Sequence, residues 1–541
     1  MEQLAEYKAL KLNDTFLTYR LRCAMVKSNV LNFEEKAFIP GDDLDSILDL
    51  NAVVAELEEA GKVPSEKLNY YANQICEVHN GKSPQDGQTT STTRRRIFAT
   101  LVLIDQTPAI LKVIEEGLYD WDLPLSFDAS DRIHPRLLRK GNGGEPDPVA
   151  FSQDWIFVHV QNFFDYQWRL LSPYIEMRTR ECAEINHYLL DHNIILPFTH
   201  LSGSKKTSKI KIHPAHRNSL SSGSESFVLE EVWYGSEQVF LEEVDLFKRI
   251  GDGHHHITQL LATFRQGNDC YLLFPGAEGS LNDLFQKYPE INDPPRDDKL
   301  SKWLASQLLG LSRALASIHE CKPDLDIFDS DKIRRRFGAH GHLNPQNILW
   351  FQENHADEDS SSLGTFKVSN FGLTSSPGLE RLRRIAPKSI SFTYRAPEYD
   401  VHGFVLPQYD MWSFGCILAE LVTWYLAGRD AVINFKTARE KDATRGYKAD
   451  SFFREVDGPR SDTTGKMSVR QHFDMLRNLP GCTNFLLELI EFVDKRLLQI
   501  SPNDRCQTSE LLEFADSVNK KCHEEISYCL ERAKPLETDR E

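Results

Sequence analysis

Apolar residues recur every three or four positions through most of the first 150 residues of this 541-residue chain. The stretch SEKLNYYANQICEVHN, which begins at Ser65, has this spacing and predicts a helix with Ser65 as its N-cap. The apolar stretch RRRIFATLVLID, from Arg94, predicts another helix. A third is predicted over TPAILKVIEEGL, with Thr107 as its cap and Gly117 at its end. The pattern therefore predicts a helical N-terminal domain.

Two polar segments rich in turn-forming residues interrupt this helical pattern. GKSPQDGQTTSTT, residues 81–93, is predicted to be a loop or mobile linker. RKGNGGEPDP, residues 139–148, is predicted to be a loop that ends the N-terminal domain, which then covers residues 1–150. Residues 151–195 are predicted to form a helical connection to a region with a different pattern.

From about residue 196 the pattern changes to short alternating or apolar runs that predict strands. These runs are KIKIH (209–213), SFVLEEV (226–232) and CYLLFP (270–275). An amphipathic helix, SEQVFLEEVDLFKRI, is predicted between the last two. After residue 300 helical spacing dominates, beginning with SKWLASQLLGLSRALASIHE. This order of elements predicts an α+β fold in which a small strand-rich part precedes a larger helical part.

Two polar inserts interrupt the helical part. ENHADEDSSSLG, residues 353–364, is acidic and rich in serine, so it is predicted to be a solvated loop between two short strands. Residues 428–465 are polar and weakly periodic, and they are predicted to be a long connection that contains some helix.

The charge balance narrows the classes of partner. The chain has 80 acidic and 63 basic side chains and a formal net charge of -17, which opposes non-specific binding to nucleic acid or anionic membrane. Two dense basic runs, Arg94 to Arg96 and Arg334 to Arg336, are predicted to lie on a solvated face, with a local partner patch as the alternative. We therefore expect protein partners, no nucleic acid and no membrane.

The cysteines and the chain start bear on the compartment. The ten cysteines are scattered, without a C-x-x-C pair or zinc spacing, which predicts free thiols and no disulfides. The N-terminal stretch MEQLAEYKALKLNDTF does not resemble a secretory leader, and no stretch reaches the roughly 18 uninterrupted apolar residues of a membrane span. We expect a cytoplasmic or nuclear location.

Three motifs carry a resemblance to a known family. They are LPFTHL (196–201), FPGAEGSL (274–281) and AHGHLNPQNILWF (339–351). The chain resembles the eukaryotic protein-kinase fold, and in particular a group of kinase-like proteins from filamentous fungi with a helical N-terminal region. The resemblance implies a bilobal kinase-like domain over residues 196–530, with a β-rich N-lobe to about residue 278 and a helical C-lobe after it.

Kinase chemistry places a phosphate-binding lysine, a carboxylate base and metal-binding Asp and Asn side chains around a nucleotide. By the resemblance, His342 stands where the family has its base, and Asn347 follows five residues later at the metal-binding position. Asn344 replaces a lysine of the same loop. Asn370 replaces the aspartate of D-F-G, so the shape of that side chain is kept while its charge is lost.

The predicted strand SFVLEEV matches the family's V-A-I-K strand. Glu230 then replaces the phosphate-binding lysine, and Val228 replaces the alanine that lies against adenine. Glu243 on the next helix matches the lysine's usual partner, so an attraction becomes a repulsion. The glycine-rich loop is matched by a single glycine, Gly203. If a nucleotide binds, its contacts are expected at Asn347, Val228 and Leu349. Lys209 is then the substitute cation, with Lys205, Lys206 and Lys211 of the same strand and loop as alternatives.

A shifted alignment does not restore the missing groups. No Asp or Glu occurs between Phe337 and Gln352, or between Ser360 and Leu379, and no lysine occurs between Ile212 and Phe247. Residues that support the kinase fold are retained by comparison. The resemblance implies an ion pair of Glu398 with Arg505 and an aspartate, Asp410, that holds the loop backbone. The full structural set is Glu243, Phe371, Gly372, Glu398, Asp410, Trp412 and Arg505.

The sequence therefore predicts a pseudokinase that acts as a scaffold or regulator through protein contacts. No cofactor and no metal ion are expected, and GHHHI, with His254 to His256, is predicted to be a structural turn. One alternative is an unorthodox ATP-dependent Ser/Thr protein kinase with weak activity, which uses ATP and magnesium. Another is that the N-terminal helical domain is the binding module and the kinase fold supports it.

Overall fold

Three regions follow one another along the chain: an N-terminal region, a sheet region and a helical region. A computed structural model describes them over residues 16–28, 36–82, 89–128, 130, 135–140, 146–179, 184–203, 207–219, 225–232, 237–251, 254–290, 298–320, 339–352, 363–370, 392–402, 406–442, 450–456 and 462–532. The content of helix and sheet is mixed, which fits the predicted α+β class.

The N-terminal region contains short helices and small antiparallel sheets around one hydrophobic cluster. Its elements are α1 (Leu17–Cys23), β1 (Val26–Ser28), β2 (Lys36–Phe38), α2 (Gly41–Ile47), α3 (Leu50–Glu59), α4 (Leu68–Cys76), β3 (His79–Lys82), β4 (Thr89–Thr92), α5 (Arg95–Leu103), α6 (Ile110–Glu115), β5 (Ser126–Asp128), β6 (Arg136–Lys140), β7 (Pro146–Pro148) and α7 (Phe157–Gln167). Helix α5 lies at the centre, since its residues from Ile97 to Leu103 are all buried. The cluster continues past residue 150 as far as Leu170.

Both segments predicted as loops in this region contribute strands. In segment 81–93, β3 pairs with β4, and in segment 139–148, β6 pairs with β7. The run of threonines in β4 has strand propensity, which outweighs the turn formers before it. The predicted caps are also wrong, although the helices themselves form. Ser65 follows the capping residue Pro64, and the Thr107 hydroxyl lies 3.0 Å from Glu56 Oε1 instead of capping its helix.

Arg94, which was predicted to lie on a solvated face, is buried. Its Nε donates to the carbonyl of Leu118 at 2.7 Å and its Nη1 to that of Gln74 at 2.8 Å. The guanidinium carbon also lies 3.6 Å from the ring centre of Tyr119. Hydrogen bonds and aromatic stacking offset the loss of water, so this charge is tolerated inside the fold. The second triplet, residues 334–336, lies outside the described residues.

The sheet region holds a six-stranded sheet and one helix. Its elements are β8 (His187–Leu190), β9 (Phe198–Gly203), β10 (Thr207–Ile212), β11 (Phe227–Val232), α8 (Glu237–Gly251), β12 (Ala262–Gln266) and β13 (Asp269–Pro275). The strand order is β8-β12-β13-β11-β10-β9, and all neighbours are antiparallel except β8, which runs parallel to β12. The three predicted strands and the amphipathic helix are confirmed. One sheet face buries its own apolar cluster, and the other packs on α8 and the helical region.

The helical region carries the largest hydrophobic cluster. Its elements are β14 (Gly279–Ser280), α9 (Leu281–Lys287), α10 (Asp298–Glu320), β15 (Ile348–Phe351), β16 (Thr365–Val368), α11 (Pro397–His402), α12 (Pro407–Lys441), β17 (Phe453–Val456), β18 (Asp462–Gly465), α13 (Met467–Asn478), α14 (Asn484–Phe492), α15 (Thr508–Glu524) and α16 (Ile526–Leu530). The strands predicted on either side of the acidic insert are β15 and β16. In the predicted connection 428–465, α12 continues through a kink at Gly428, and the hairpin of β17 and β18 was missed.

Helix α12 is the central element of the helical region. Within the described residues it alone is long and apolar enough, by length and composition, to cross a membrane. Its most apolar window is 94% buried inside the fold. Its apolar surface is therefore covered by the helices and strands around it.

The N-terminal region packs directly on the sheet region. Phe38 is fully buried beside Trp168 and Ile195, and its ring meets that of His216 edge-on at 5.2 Å. The Ser28 hydroxyl donates to the carbonyl of Leu196 at 2.6 Å. These contacts join β1 and β2 to the segment that leads into β9, so the first region is attached along one side of the sheet.

Candidate functional site

The loop AHGHLNPQNILWF lies between α10 and β15, and one buried carboxylate fixes its backbone. Asp410 of α12 accepts the N–H of His340 at 2.7 Å and the N–H of Gly341 at 2.8 Å. Gly341 has φ 73°, in the left-handed region that favours glycine. The Asp410 side chain is fully buried, and these hydrogen bonds offset its desolvation. The loop is therefore held in one shape by α12.

Amide side chains complete the loop. Asn344 Nδ2 donates to the carbonyl of His342 at 3.0 Å, and Asn347 Nδ2 donates to the same oxygen at 2.7 Å. Asn344 Oδ1 also accepts the N–H of Gln346 at 2.9 Å. These hydrogen bonds close the turn around His342. The two asparagines, predicted as degenerate catalytic or nucleotide-binding positions, thus brace their own loop.

His340 links this loop to the strand that follows. Its Nδ1 accepts the N–H of His342 at 3.2 Å, so its Nε2 carries the proton and donates to the carbonyl of Ser369 at 2.8 Å. Burial lowers the pKa of His340, which keeps the ring neutral. His342 itself is half-buried. The imidazole of His342 therefore stands at the predicted base position, on a loop whose backbone is fixed by Asp410 and His340.

Asn370 faces this loop from the end of β16. It adopts φ 61°, a conformation that asparagine tolerates better than most residues. Its Nδ2 lies 3.5 Å from Asn347 Oδ1, and the neighbouring Ser369 N–H donates to the Asn347 carbonyl at 2.9 Å. The two positions predicted to correspond to metal ligands are therefore adjacent, and both are amides. Phe371 and Gly372 lie outside the described residues.

Glu230 lies on the β11 face that is turned toward α8 and the helical region. It stands opposite Leu272 of β13 and Thr207 of β10, and Val228 on the same face packs against the large hydrophobic cluster. Burial among these neighbours raises the pKa of Glu230. Among the described residues no cationic side chain pairs with it. The side chain of Glu243 is outside the described part, so its repulsion with Glu230 stays a prediction.

Lys209 does not neutralise Glu230. It lies opposite Val228 on β10, and its Nζ reaches the backbone carbonyl of Ala277, 3.5 Å away, in the segment between β13 and β14. Lys205 and Lys206 lie outside the described residues. Gly203 has φ 121°, and a Cβ there would lie 2.6 Å from the Thr207 carbonyl oxygen. This glycine is therefore required by the turn between β9 and β10.

The remaining predicted residues lie outside the loop, in the elements that follow it. Arg505 and Glu398 form a two-pronged ion pair, with Nη1–Oε1 at 2.6 Å and Nη2–Oε2 at 2.7 Å. The guanidinium carbon of Arg505 lies 5.1 Å from the ring centre of Trp412. Leu349 lies on β15, half-buried, opposite Lys367 of β16. The ion pair ties the start of α11 to the segment before α15.

Comparison with known proteins identifies the family. The family model described as protein kinase domain matches residues 228–515, which is more than half of the chain. The chain belongs to the protein kinase domain family. The matched residues begin in β11 of the sheet region and end in α15 of the helical region.

Curated protein kinases match parts of this chain. A probable serine/threonine-protein kinase, a KIN28 homolog of Encephalitozoon cuniculi (strain GB-M1), is 26% identical over 189 residues, which cover 35% of this chain and 49% of that protein. Cyclin-dependent kinase 7 of Dictyostelium discoideum is 27% identical over 179 residues, 32% of this chain and 40% of that protein. Cysteine-rich receptor-like protein kinase 22 of Arabidopsis thaliana is 26% identical over 229 residues, 41% of this chain and 30% of that protein. The chain thus spans about half or less of the length of these relatives.

The described residues of this protein kinase domain do not fit a magnesium-bound nucleotide. In this family magnesium is held by an aspartate and an asparagine together with phosphate oxygens, whereas here both positions, Asn347 and Asn370, are neutral amides and the carboxylate is missing. Glu230 places an acidic group where the phosphates need a cation. At the positions that the resemblance assigns to phosphate and metal, the described residues therefore carry neither the lysine nor the aspartates of the family.

Sequence reasoning missed His319 in α10. Its Nε2 lies 2.9 Å from Asp410 Oδ2, and its Nδ1 lies 2.7 Å from Thr508 Oγ1. The ring is almost fully buried and braces the carboxylate that holds the loop. No local pattern signals this role, because the partners are 91 and 189 residues away in sequence. His319 is a positioning residue for the loop.

Proposed function

We propose that this kinase domain does not transfer phosphate and serves as a pseudokinase, a scaffold or regulator that acts through protein contacts. In this proposal the sheet region and the helical region are the small and large lobes of a bilobal kinase fold. One observation carries it: Asp410 holds the loop backbone, yet His342 and Asn344 on that loop and Asn370 beside it include no carboxylate.

The energetics support loss of catalysis. Removing a general base costs about 10²–10⁴-fold in rate, and each lost electrostatic stabiliser costs a similar factor. A raised pKa leaves Glu230 either protonated or repelling phosphate, so neither form attracts a nucleotide. Two unit charges 4 Å apart interact by about 4 kcal/mol in a partly solvated site, so reversing the sign at this position is a large change.

Thermal shift with ATP, with and without magnesium, tests the proposal on the full chain. We expect no magnesium-dependent rise in the melting temperature and no transfer of labelled phosphate. A ligand present at 100 times its Kd would add about 2.7 kcal/mol, which is easily detected. Magnesium-dependent stabilisation, with phosphate transfer that is lost in Asn347→Ala, would instead establish the weak Ser/Thr kinase.

A charge-restoring variant sharpens this test. Glu230→Lys combined with His342→Asp and Asn370→Asp returns the family's charges to a loop that is already in place. We expect this variant to gain magnesium-dependent stabilisation by ATP. The matched control keeps His342→Asp and Asn370→Asp and replaces Glu230→Lys by Glu231→Lys, which puts the same charge change on the opposite face of β11 and should gain nothing. If the charge-restoring variant is still not stabilised by ATP, the shape of the site and not its charge prevents nucleotide binding.

Protein binding through the N-terminal region stays a prediction, and so does the resemblance to kinase-like proteins of filamentous fungi. An exposed apolar surface at the start of α7 is where we expect the N-terminal region to bind a protein. Ile156 is 61% exposed there, followed by Phe157 and Val158 at 48% each.

A further inference from the structure

Two free cysteines meet at the end of the helical region. Cys522 lies on α15 and Cys529 on α16, and both are fully buried. An uninterrupted helix would carry residues seven apart two turns away from each other. Here Glu525, with φ -125° and ψ 96°, is extended and ends α15, so α16 folds back toward it. The helix break is what brings the two thiols together.

The Cys529 thiol contacts the backbone of Cys522. Cys529 Sγ lies 3.5 Å from the Cys522 carbonyl oxygen, within hydrogen-bonding distance for sulfur. The two side chains also form a hydrogen bond to each other. When one proton leaves the pair, the thiolate on Cys529 accepts this bond from the Cys522 thiol. The Cys529 sulfur, which donates to the Cys522 carbonyl while it is protonated, therefore becomes an acceptor when it loses its proton.

The surroundings favour a thiolate on Cys529. The hydrogen bond from Cys522 and the charge of Lys302 on α10 lower the pKa of Cys529. Lys302 is itself positioned by Asp298, at 2.9 Å. Burial instead raises the pKa of Cys482 to about 11 and that of Cys506 to about 12. A thiol with a lowered pKa beside a second thiol has the chemistry of a redox-sensitive pair.

We propose that Cys522 and Cys529 are a redox-active dithiol that a peroxide converts to a disulfide, which fixes α16 to α15. The Cys529 thiolate attacks one oxygen of the peroxide and becomes a sulfenic acid, and hydroxide leaves. The Cys522 thiol then attacks that sulfur, the S–S bond forms and water leaves. Overall the peroxide accepts two electrons and two protons from the two thiols.

The position of the pair suits a local change. Helix α16 has five residues, with Ile526 and Leu530 exposed on its outer side. It is held by Tyr528, whose hydroxyl donates to Glu488 at 2.8 Å, and by the Asn484 N–H, which donates to the Glu531 carbonyl at 3.2 Å. A short element with few anchors opens more easily than the core, which admits a small oxidant.

Peptide mapping of the full chain tests the proposal with hydrogen peroxide as the probe. Lys521 and Arg532 bracket the pair without another basic residue between them, so trypsin releases both cysteines in one peptide, residues 522–532. After peroxide and alkylation, we expect this peptide to have lost the mass of two hydrogen atoms and to carry no alkyl group. Exposed Cys23 is the internal control for oxidant strength.

Two variants test the assigned roles. Cys522→Ser should leave a sulfenic acid on Cys529 that dimedone labels, whereas Cys529→Ser should leave Cys522 unlabelled. Wild-type protein whose pair stays reduced while Cys23 is oxidised would overturn the proposal, whether or not the variants fold. Equal labelling of both sulfurs, or oxidation to sulfonic acid without a disulfide, would overturn it too.

Discussion

At the residue scale, the charged side chains that support the fold are present. The positions that the resemblance assigns to phosphate transfer carry neither the aspartates nor the lysine of the family. The side chains of Arg505 and Asp410 are fully buried, and each has several hydrogen-bond partners. His342 on the loop and Asn370 after the strand beside it carry no carboxylate. A buried charge is tolerated only with its partners. Substitution at or beside Arg505 and Asp410 is therefore expected to lower stability more than substitution of His342 or Asn370.

Glu398→Gln is expected to destabilise the chain strongly. It leaves the guanidinium of Arg505, whose side chain has no exposure, without its carboxylate. Loss of one partner from a buried pair costs about 3–5 kcal/mol. A urea titration followed by tryptophan fluorescence should show the lower midpoint. The matched control is Glu510→Gln, which breaks the exposed pair with Arg496 and should cost no more than about 1 kcal/mol. Equal losses in the two variants would refute the argument from burial.

The resemblance to protein kinases predicted the loop residues and the pair of Glu398 with Arg505, because each residue lies in a short motif that matches the family. It did not predict the bracing role of His319 or the thiol pair at Cys522 and Cys529. Those contacts depend on where the chain turns back in three dimensions, and a single sequence does not encode that in local spacing.

At the scale of elements, helix α10 and the histidine turn are fitted to each other. His256 Nδ1 hydrogen-bonds the Phe366 carbonyl of β16 at 2.8 Å, and its ring lies against Gly310 in the middle of α10. A Cβ at Gly310 would lie 2.0 Å from His256 Nε2. The glycine is therefore required by close approach of the ring, and the predicted structural turn joins the sheet region to the helical region.

Gly310→Ala is expected to lower stability although alanine is the better helix former. Overpacking of a fitted contact costs about 1–3 kcal/mol, which exceeds the gain of about 1 kcal/mol in helix propensity. Differential scanning fluorimetry should show a lower melting temperature. Gly41→Ala in α2 is the control, because nothing lies within 4 Å of its Cβ position. A Gly310→Ala variant as stable as wild type would mean that the His256 ring moves aside without loss of stability.

Alternating and amphipathic patterns predicted three of the six strands of the sheet, β10, β11 and β13, and helices α8 and α10. They failed for the hairpins of β3 with β4 and of β6 with β7. Those strands contain threonine, proline and charged residues with little apolar alternation, and pairing with a neighbour decides their conformation. A rule based on local composition therefore assigned them to loops.

At the scale of the whole molecule, two histidines far apart in the fold make stability depend on pH. Burial lowers the pKa of His256 to about 4, and burial with the nearby Arg439 lowers that of His472 to about 4. His472 stacks on Phe435 at 3.7 Å and hydrogen-bonds Thr423 at 2.8 Å. Both are therefore neutral in the folded chain at pH values where an exposed histidine is charged.

The folded chain is expected to lose stability as pH falls from about 6.5 to about 4, because the unfolded chain takes up these protons first. Each histidine contributes no more than about 3 kcal/mol to the free energy of unfolding. This contribution is complete at pH values above the pKa of an exposed histidine. Melting temperatures recorded across this range should fall, and less so for His472→Phe. Thr423 keeps its bond to the Ala419 carbonyl in that variant. The same slope in His472→Phe as in wild type would exclude this histidine as a source.

The junction between the N-terminal region and the sheet region has a consequence for synthesis on the ribosome. Ser28 finds its acceptor in Leu196, 168 residues later, and the ring of Phe38 is covered partly by His216. Until that later stretch leaves the exit tunnel, the nascent chain carries an uncovered aromatic surface. Nascent chains on neighbouring ribosomes are expected to associate through this surface. A chaperone is therefore most important before the later stretch has emerged.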